Sequence, residues 1–451
     1  MGITEKIVDS VLGTQYSHLP QEAIERAKQC VLDCTGVALA ACTYPIAAIL
    51  ESYLDEVGGH EQCSVLGLGT RTSTVNAALV NGTLCHALDY DDTHLPALAH
   101  PTTTVLPAVL AAAERTEAGG KEVLLALILG IEVFTRIGGV VNPGHWYRGF
   151  HATGTLGAFG AVSATGKLLN LNREQMVNAF GIAASEAAGL KQNFGTMTKP
   201  FHAGHAAESG VKAALLAKRG FTAAKDAFEG RLGFANVLTD SRNFAYLEHF
   251  GDPWEVAGPG MFFKRSPSCG GTAAAIWALE SLIQEHDIRP EQVERIDAGT
   301  NPAGPEQLIY TEPKNALQAK FSMQFCLALM LTERQTRLAD FTDEKVNDPQ
   351  MVELMKRINL YVDPELTKTV PREWGDKTKR VNVKLKNGRE YGRTTDFKHL
   401  SWGELVEKYE ECAGLFLPQD KVRQSIELIG NLDDETSIQR LMQLTARTTR
   451  R

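Results

Sequence analysis

The densest run of chemically active side chains is His86-Ala-Leu-Asp89-Tyr90-Asp91-Asp92-Thr93-His94, closing on His100-Pro101. Imidazoles and carboxylates this close together serve as acid–base groups or as ligands for a metal ion. The run has no HExxH pattern, no EF-hand loop and no strict ligand spacing, so acid–base chemistry without a metal is the expectation. A second group is Tyr147-Arg148-Gly149-Phe150-His151. A third is Gly195-Thr-Met-Thr-Lys199-Pro-Phe-His202-Ala-Gly-His205, where a Lys beside Pro stands at a helix entrance among histidines. Lys199 there can hold a carboxylate or, with its proton loosened by burial or neighbouring cations, act as a base. In the fourth, Phe263-Lys264-Arg265-Ser266-Pro267-Ser268-Cys269-Gly270-Gly271-Thr272-Ala273, two cations precede a Gly-rich helix start with Ser, Cys and Thr donors. That is a cradle suited to a carboxylate. Cys269 has no Cys/His motif beside it and reads as a packed small residue rather than a nucleophile. No Walker A, GxGxxG, GxSxG or CxxC pattern occurs, and no cofactor is expected.

These groups have to be positioned by helices. Apolar periodicity predicts helices over 22–41, 73–87, 102–115, 121–137, 153–169, 173–190 and 203–219. Many are rich in Ala and Gly, as in Gly157-Ala-Phe-Gly-Ala-Val-Ser-Ala-Thr-Gly-Lys167, which predicts closely packed, buried helices and accounts for an aromatic share of only 7%. His100 and His151 each precede what reads as a Thr-capped helix, which would put both imidazoles near helix N-termini, where anions are favoured. His202 and His205, three apart, could share a helix face. After Phe262 the pattern changes. Residues 292–299 alternate like a strand, and 379–395 read as a hairpin on an Asn387-Gly388 type I′ turn. Helical segments are expected near 322–331 and 348–358, and helix returns from Ser401 to about Thr445. The expected fold is mainly α: a large all-helical domain from 1–263 and 402–451, with a smaller α+β domain, 264–401, inserted before the C-terminal helices.

The 451 residues, 43% of them hydrophobic, suffice for two or three domains. A net charge of -8, from 46 basic and 54 acidic residues, argues against a nucleic-acid partner, which requires a basic footprint. An anionic substrate would then need a locally positive pocket. Eight dispersed cysteines and the lack of a signal-peptide pattern imply a cytoplasmic protein with reduced thiols. The two longest apolar stretches, Val31 to Leu50 and Val123 to Val141, contain Asp33 and Pro45, and Glu132 and Arg136. Both read as buried helices, and no membrane partner is expected.

The ordered set of segments at Asp89–Thr93 with His100-Pro, Gly149–His151, Gly195–His205, Lys264–Ala273 and Ala319–Ser322 resembles the MmgE/PrpD family over nearly the whole chain. Its members include 2-methylcitrate dehydratases, cis-aconitate decarboxylases and iminodisuccinate epimerases. The Lys-Pro-x-His form at Lys199 is similar to the decarboxylase and epimerase branch. The resemblance implies a cofactor-independent homodimer with a helical domain and a smaller α+β lid. It also implies a small di- or tricarboxylate substrate, and active-site positions for Asp89, Thr93, His100, His151 and Lys199. Two departures stand out. The loop from Thr93 to His100 is one residue longer than in the decarboxylases, and Ala273 replaces a His found in many members.

The chemistry so implied is proton transfer at a carbon next to a carboxylate, most simply in a lyase, with an epimerase or a non-catalytic scaffold as alternatives. His100 and Lys199 would be the acid–base pair and Tyr147 a second acid or base. Asp89 and Thr93 would orient His100 or hydrogen-bond the substrate. His151, Lys264, Ser268 and Cys269 would hold substrate carboxylates.

Overall fold

The computed structural model describes residues 2–369 and 378–447. Two compact units divide the chain: Met1–Gln192 with Met197–Met261 and Ser401–Arg451, and Asn193–Thr196 with Phe262–Leu400. The four residues 193–196 group with the second unit because Tyr310 donates to the Phe194 carbonyl (3.0 Å) and the Phe194 ring lies 5.5 Å from that of Phe321.

The first unit is helical. Its first ten helices are α1 (Ile3–Gly13), α2 (Gln21–Ala41), α3 (Pro45–Val57), α4 (Thr74–His86), α5 (Thr102–Thr116), α6 (Gly120–Val141), α7 (Gly144–Tyr147), α8 (Ala152–Leu168), α9 (Arg173–Glu186) and α10 (Thr198–Lys218). Local sequence fixes several ends. Ser73 caps α4 by accepting from the Asn76 amide, and Asn172 with Gln175 forms a capping box on α9. The helices Trp402–Gly414 and Gln419–Gly430 pack back onto α2. One link is buried: Lys408 Nζ meets Asp33 Oδ1 at 2.5 Å and the Tyr90 carbonyl at 2.6 Å. Helix α6 is long and apolar enough to cross a membrane, yet its apolar window is wholly buried in the fold. Its Glu132 is ion-paired to Arg136 (2.8 Å) and also accepts from the amides of Gly251 and Glu255.

Several helix boundaries differ from the periodicity. Helix α9 stops at Glu186 rather than Leu190, because Gly189 adopts φ 146° and residues 189–191 pair instead with 149–151. Helix α10 begins at Thr198 rather than Ala203, since Pro200 in the first turn removes an amide that has no intrahelical acceptor there. Neither α5 nor α8 is Thr-capped: Pro101 and His151 occupy the N-cap positions and neither makes a side-chain cap.

Close helix crossings depend on glycine. A Cβ at Gly82 of α4 would lie 2.7 Å from Gly204 Cα of α10, and a Cβ at Gly204 would lie 2.1 Å from the Leu79 carbonyl oxygen. These two backbones can approach only because both positions lack a side chain.

The second unit is α+β. Its sheet runs in the order Ile358–Val362, Val293–Thr300, Lys379–Leu385, Glu390–Thr395, with the first pair parallel and the others antiparallel. Lys379, Val381, Val383 and Leu385 alternate inward. The core joins them to the helices Gly270–His286 and Met323–Glu333. The hairpin turn is not type I′. Gly388 alone takes positive φ (84°), its amide bonds the Leu385 carbonyl, and Leu385 pairs with Arg389. The loop thus has three residues, with the left-handed position falling on Gly388 and Asn387 left at negative φ.

Gly204→Ala should destabilise the protein by about 1–3 kcal/mol despite alanine's better helix propensity, because its Cβ collides with backbone. Gly13→Ala, with open space around it at the end of α1, should be neutral or slightly stabilising. Urea denaturation of the two variants checks both outcomes.

Candidate active site

Crossing α4 over α10 sets His86, the last residue of α4, against Lys199 in the first turn of α10, with Lys199 Nζ 3.0 Å from His86 Nε2. The chain then turns sharply. Asp89 adopts φ 51°, a left-handed conformation that Asp tolerates better than most residues. Its Oδ1 lies 3.1 Å from Lys199 Nζ and 3.8 Å from His100 Nε2. Asp91 points back to His86, with its two oxygens 2.9 and 3.0 Å from His86 Nδ1. His100 reaches the same cluster from the start of α5, its ring 4.6 Å from that of His86.

Three oxygens surround His100 Nδ1: the Asp92 carbonyl at 2.7 Å, Thr93 Oγ1 at 3.2 Å and Asp91 Oδ2 at 3.3 Å. A carbonyl and a carboxylate can only accept, so Nδ1 carries a hydrogen and Nε2 is the working nitrogen. The pairing of 149–151 with 189–191 fixes His151 through its amide bond to the Gly189 carbonyl (3.0 Å). His151 Nδ1 lies 3.0 Å from His202 Nδ1, and one of the two must donate. The loop carrying His94 is anchored by a chain in which Arg136 bridges Glu132 and Glu255 (3.1 Å to the latter), and Glu255 meets His94 at 3.0 Å.

Nearly all these groups are buried, and burial sets their charge. It pushes His86 down to about 3, with Asp91 opposing and Lys199 assisting, and it holds His151 well below the usual imidazole range beside Lys199. His202 is pushed down to about 4 by burial and then by Lys199. Burial alone would raise Asp91, but charge attraction to His86 and His100, with their hydrogen bonds, holds it well below the usual carboxylate range. Asp92 lacks such donors in number, and burial lifts it to about 8. The cluster therefore sets an ionised Asp91 and the Lys199–Asp89 ion pair beside the neutral imidazoles of His86, His151 and His202. His86, Asp89, Asp91 and His100 offer ligand atoms all within 4.8 Å of one another, a donor set of the kind that binds a divalent cation. Lys199 Nζ stands against that set, so the positive charge provided there by the chain itself is an ammonium.

Of the candidates from sequence, the fold brings Asp89, Thr93, His100, His151 and Lys199 together. Tyr147, at the end of α7, is 40% exposed, unlike the buried cluster. His205 is on the outer side of α10, stacked on Phe201 and 3.6 Å from Glu208, whereas His202 faces inward. Lys264, Ser268 and Cys269 belong to the second unit. Lys264 is 1% exposed, Ser268 Oγ bonds Thr272 Oγ1 (2.8 Å), and Cys269 N-caps the helix Gly270–His286 with Sγ 3.8 Å from Gln307 Oε1. Ala273, in the second turn of that helix, is buried. Sequence alone assigned no role to His86 or Asp91 and left open which of His202 and His205 reaches the site. His202 was recoverable from its i, i+3 spacing to Lys199 on one helix. His86 and Asp91 lie in the dense polar run at 86–100, but the contact of His86 with Lys199 depends on the approach of α10.

Known proteins match this sequence. The MmgE/PrpD N-terminal domain matches residues 5–247 and the MmgE/PrpD C-terminal domain matches residues 266–434. The chain belongs to the MmgE/PrpD family. A cis-aconitate decarboxylase of Homo sapiens is 28% identical over 457 residues, spanning 96% of this chain and 92% of the relative. One from Aspergillus terreus strain NIH 2624 is 28% identical, spanning 98% and 96%. A 2-methylcitrate dehydratase of Cupriavidus necator is 24% identical, spanning 83% and 79%. This MmgE/PrpD chain is thus similar to lyases named for small carboxylic acids.

The buried histidines also set the pH dependence of stability. Unfolded, His86, His145, His151 and His202 titrate near 6.5. In the fold all four stay neutral well below that, His145 down to about 3 by burial. The unfolded chain therefore binds more protons between pH 6.5 and about 4, and stability falls as pH drops through that window. Asp92 has the opposite sign: its contribution is full below 3.8 and is lost as pH rises toward 8. The melting temperature should peak near pH 6.5, and Asp92→Asn should flatten the decline between pH 6.5 and 8, as read by thermal denaturation across pH.

Proposed function

We propose that the protein is a lyase acting on a small di- or tricarboxylate, with proton transfer at the carbon next to a carboxylate and with His100 and Lys199 as the acid–base pair. One observation carries this reading. The buried Lys199 ammonium and His100 Nε2 converge on the same Asp89 oxygen, at 3.1 and 3.8 Å. Charge that develops on a carboxylate as its neighbouring carbon loses a proton or carbon dioxide needs a fixed cation in a dry site. Lys199 is that cation. His100, with Nδ1–H committed to oxygens, has Nε2 available in type to take or return the proton.

For decarboxylation, the C–C bonding pair moves into the remaining unsaturated acid, its carboxylate is stabilised by Lys199, and a proton returns to carbon from the pair. For dehydration, the base takes the proton next to the carboxylate while the hydroxyl leaves protonated. Either needs a single acid–base centre. Epimerisation needs a second group on the opposite face of the carbon, and Tyr147, the residue suited to it, is 40% exposed. Thr93 supports His100 through its 3.2 Å contact, and the neutral His151 is suited to hydrogen-bonding a carboxylate. In the second unit, carboxylate binding by Lys264, Ser268 and Cys269 is supported by their gathering at the start of the helix Gly270–His286. A cofactor-independent homodimer in the cytoplasm is the accompanying proposal. The first two traits rest on the family resemblance and the location on eight free cysteines, six of them buried.

Proton NMR in deuterium oxide with cis-aconitate, citrate, 2-methylcitrate and simple dicarboxylates tests the reading. Net loss of carbon dioxide or water is expected, and exchange next to the carboxylate without net product would make the protein an isomerase instead. His100→Ala and Lys199→Ala, each still folded, should lower kcat by at least about 100-fold; full turnover in either variant removes that residue from the pair.

A further inference from the structure

His86 and Asp91 have no part in the acid–base step just described, yet they are among the most enclosed polar groups of the fold, 1% and 0% exposed. We propose that they are positioning residues: Asp91 fixes the hydrogen of both His86 and His100, and His86 in turn presents a lone pair that holds the Lys199 ammonium in place. The inference rests on His100 and Lys199 being the working pair, and it concerns what keeps them in register.

Asp91 is ionised and can only accept, so the two contacts to His86 Nδ1 require a hydrogen on that nitrogen. His86 is neutral in its buried setting. Its Nε2 therefore carries a lone pair, directed at Lys199 Nζ 3.0 Å away. Lysine is an obligate donor, and the order of donation is fixed along the line: Lys199 to His86, His86 to Asp91. The second Asp91 oxygen lies 3.3 Å from His100 Nδ1 and favours the Nδ1–H form there too. One carboxylate thus biases both halves of the pair, His100 directly and Lys199 through an intervening imidazole. With two of its three hydrogens directed to His86 and Asp89, the ammonium cannot swing, and the direction of its third is set.

Asp91→Asn would replace an obligate acceptor with a group able to donate. His86 could then flip to its Nε2–H form and turn a hydrogen toward the ammonium. Gln at position 86 retains an N–H for Asp91 and a carbonyl for Lys199, whereas Leu retains only the volume. The test uses full-length protein labelled with ¹⁵N-histidine, together with steady-state kinetics on whichever acid the wild type converts. In the wild type at neutral pH, the resonance lost in His86→Gln should show a neutral ring protonated at Nδ1, and in Asp91→Asn that ring should leave this form. Asp91→Asn and His86→Leu should each lower kcat about 100-fold with KM within about threefold, and His86→Gln should keep about tenfold more kcat than His86→Leu. A wild-type His86 that is an imidazolium or protonated at Nε2 overturns the proposal. So does an unchanged kcat in Asp91→Asn, or an equal loss in the Gln and Leu variants. If the wild type converts none of the acids, the lyase reading fails by itself, and the His86 spectrum still decides this one.

Discussion

The buried Lys199 organises the active-site side of the helical unit. Lys199 is 4% exposed, and a cation so enclosed is tolerated only if acceptors surround it, since an unpaired buried charge costs several kcal/mol. Its acceptors come from α4 and the turn after it, so helix α10 has to lie almost against α4. Gly82 and Gly204 allow that approach, with Gly82's missing Cβ leaving only 2.7 Å to the facing Cα. The electrostatic demand and the steric permission meet at one helix crossing, and the geometry of the site follows from it.

The acidic loop between α4 and α5 would not hold its shape by local forces, because it contains adjacent carboxylates and a left-handed Asp89. Two remote charge networks restrain it. Lys408, from a C-terminal helix, binds the Tyr90 carbonyl and is itself neutralised by Asp33 on α2. On the other side, Glu132 and Arg136 of the apolar helix α6 reach His94 through Glu255. Buried ion pairs contribute little net stability, but they are costly to break, which makes them suitable for fixing a loop to a rigid frame.

Enclosure also determines what kind of chemistry the site supports. Four imidazoles crowd within a few ångströms, and were they charged they would repel Lys199 and one another. Burial keeps His86, His151 and His202 neutral, so these three do not compete with Lys199 as cations. This gives a defined cation for a developing carboxylate charge while leaving imidazole nitrogens as hydrogen-bond and proton-transfer groups.

Much of this was legible in the sequence. The run from His86 to His100, the Lys199-Pro-Phe-His202 helix entrance and the small-residue helices pointed to a mainly α fold with an inserted α+β segment, because periodicity and composition are local properties. Residue type likewise marked Asp89, Thr93, His100, His151 and Lys199 as chemical groups. What the sequence left open was pairing and exposure. That His86 and Asp91 belong to the site, that His202 faces inward while His205 faces out, and that Tyr147 stands near the surface depend on which helix faces which. So does the early end of α9, where pairing with residues 149–151 outweighs local propensity. These were decided by the tertiary structure alone, because charge burial and helix contact arise only when residues distant in the chain are brought together.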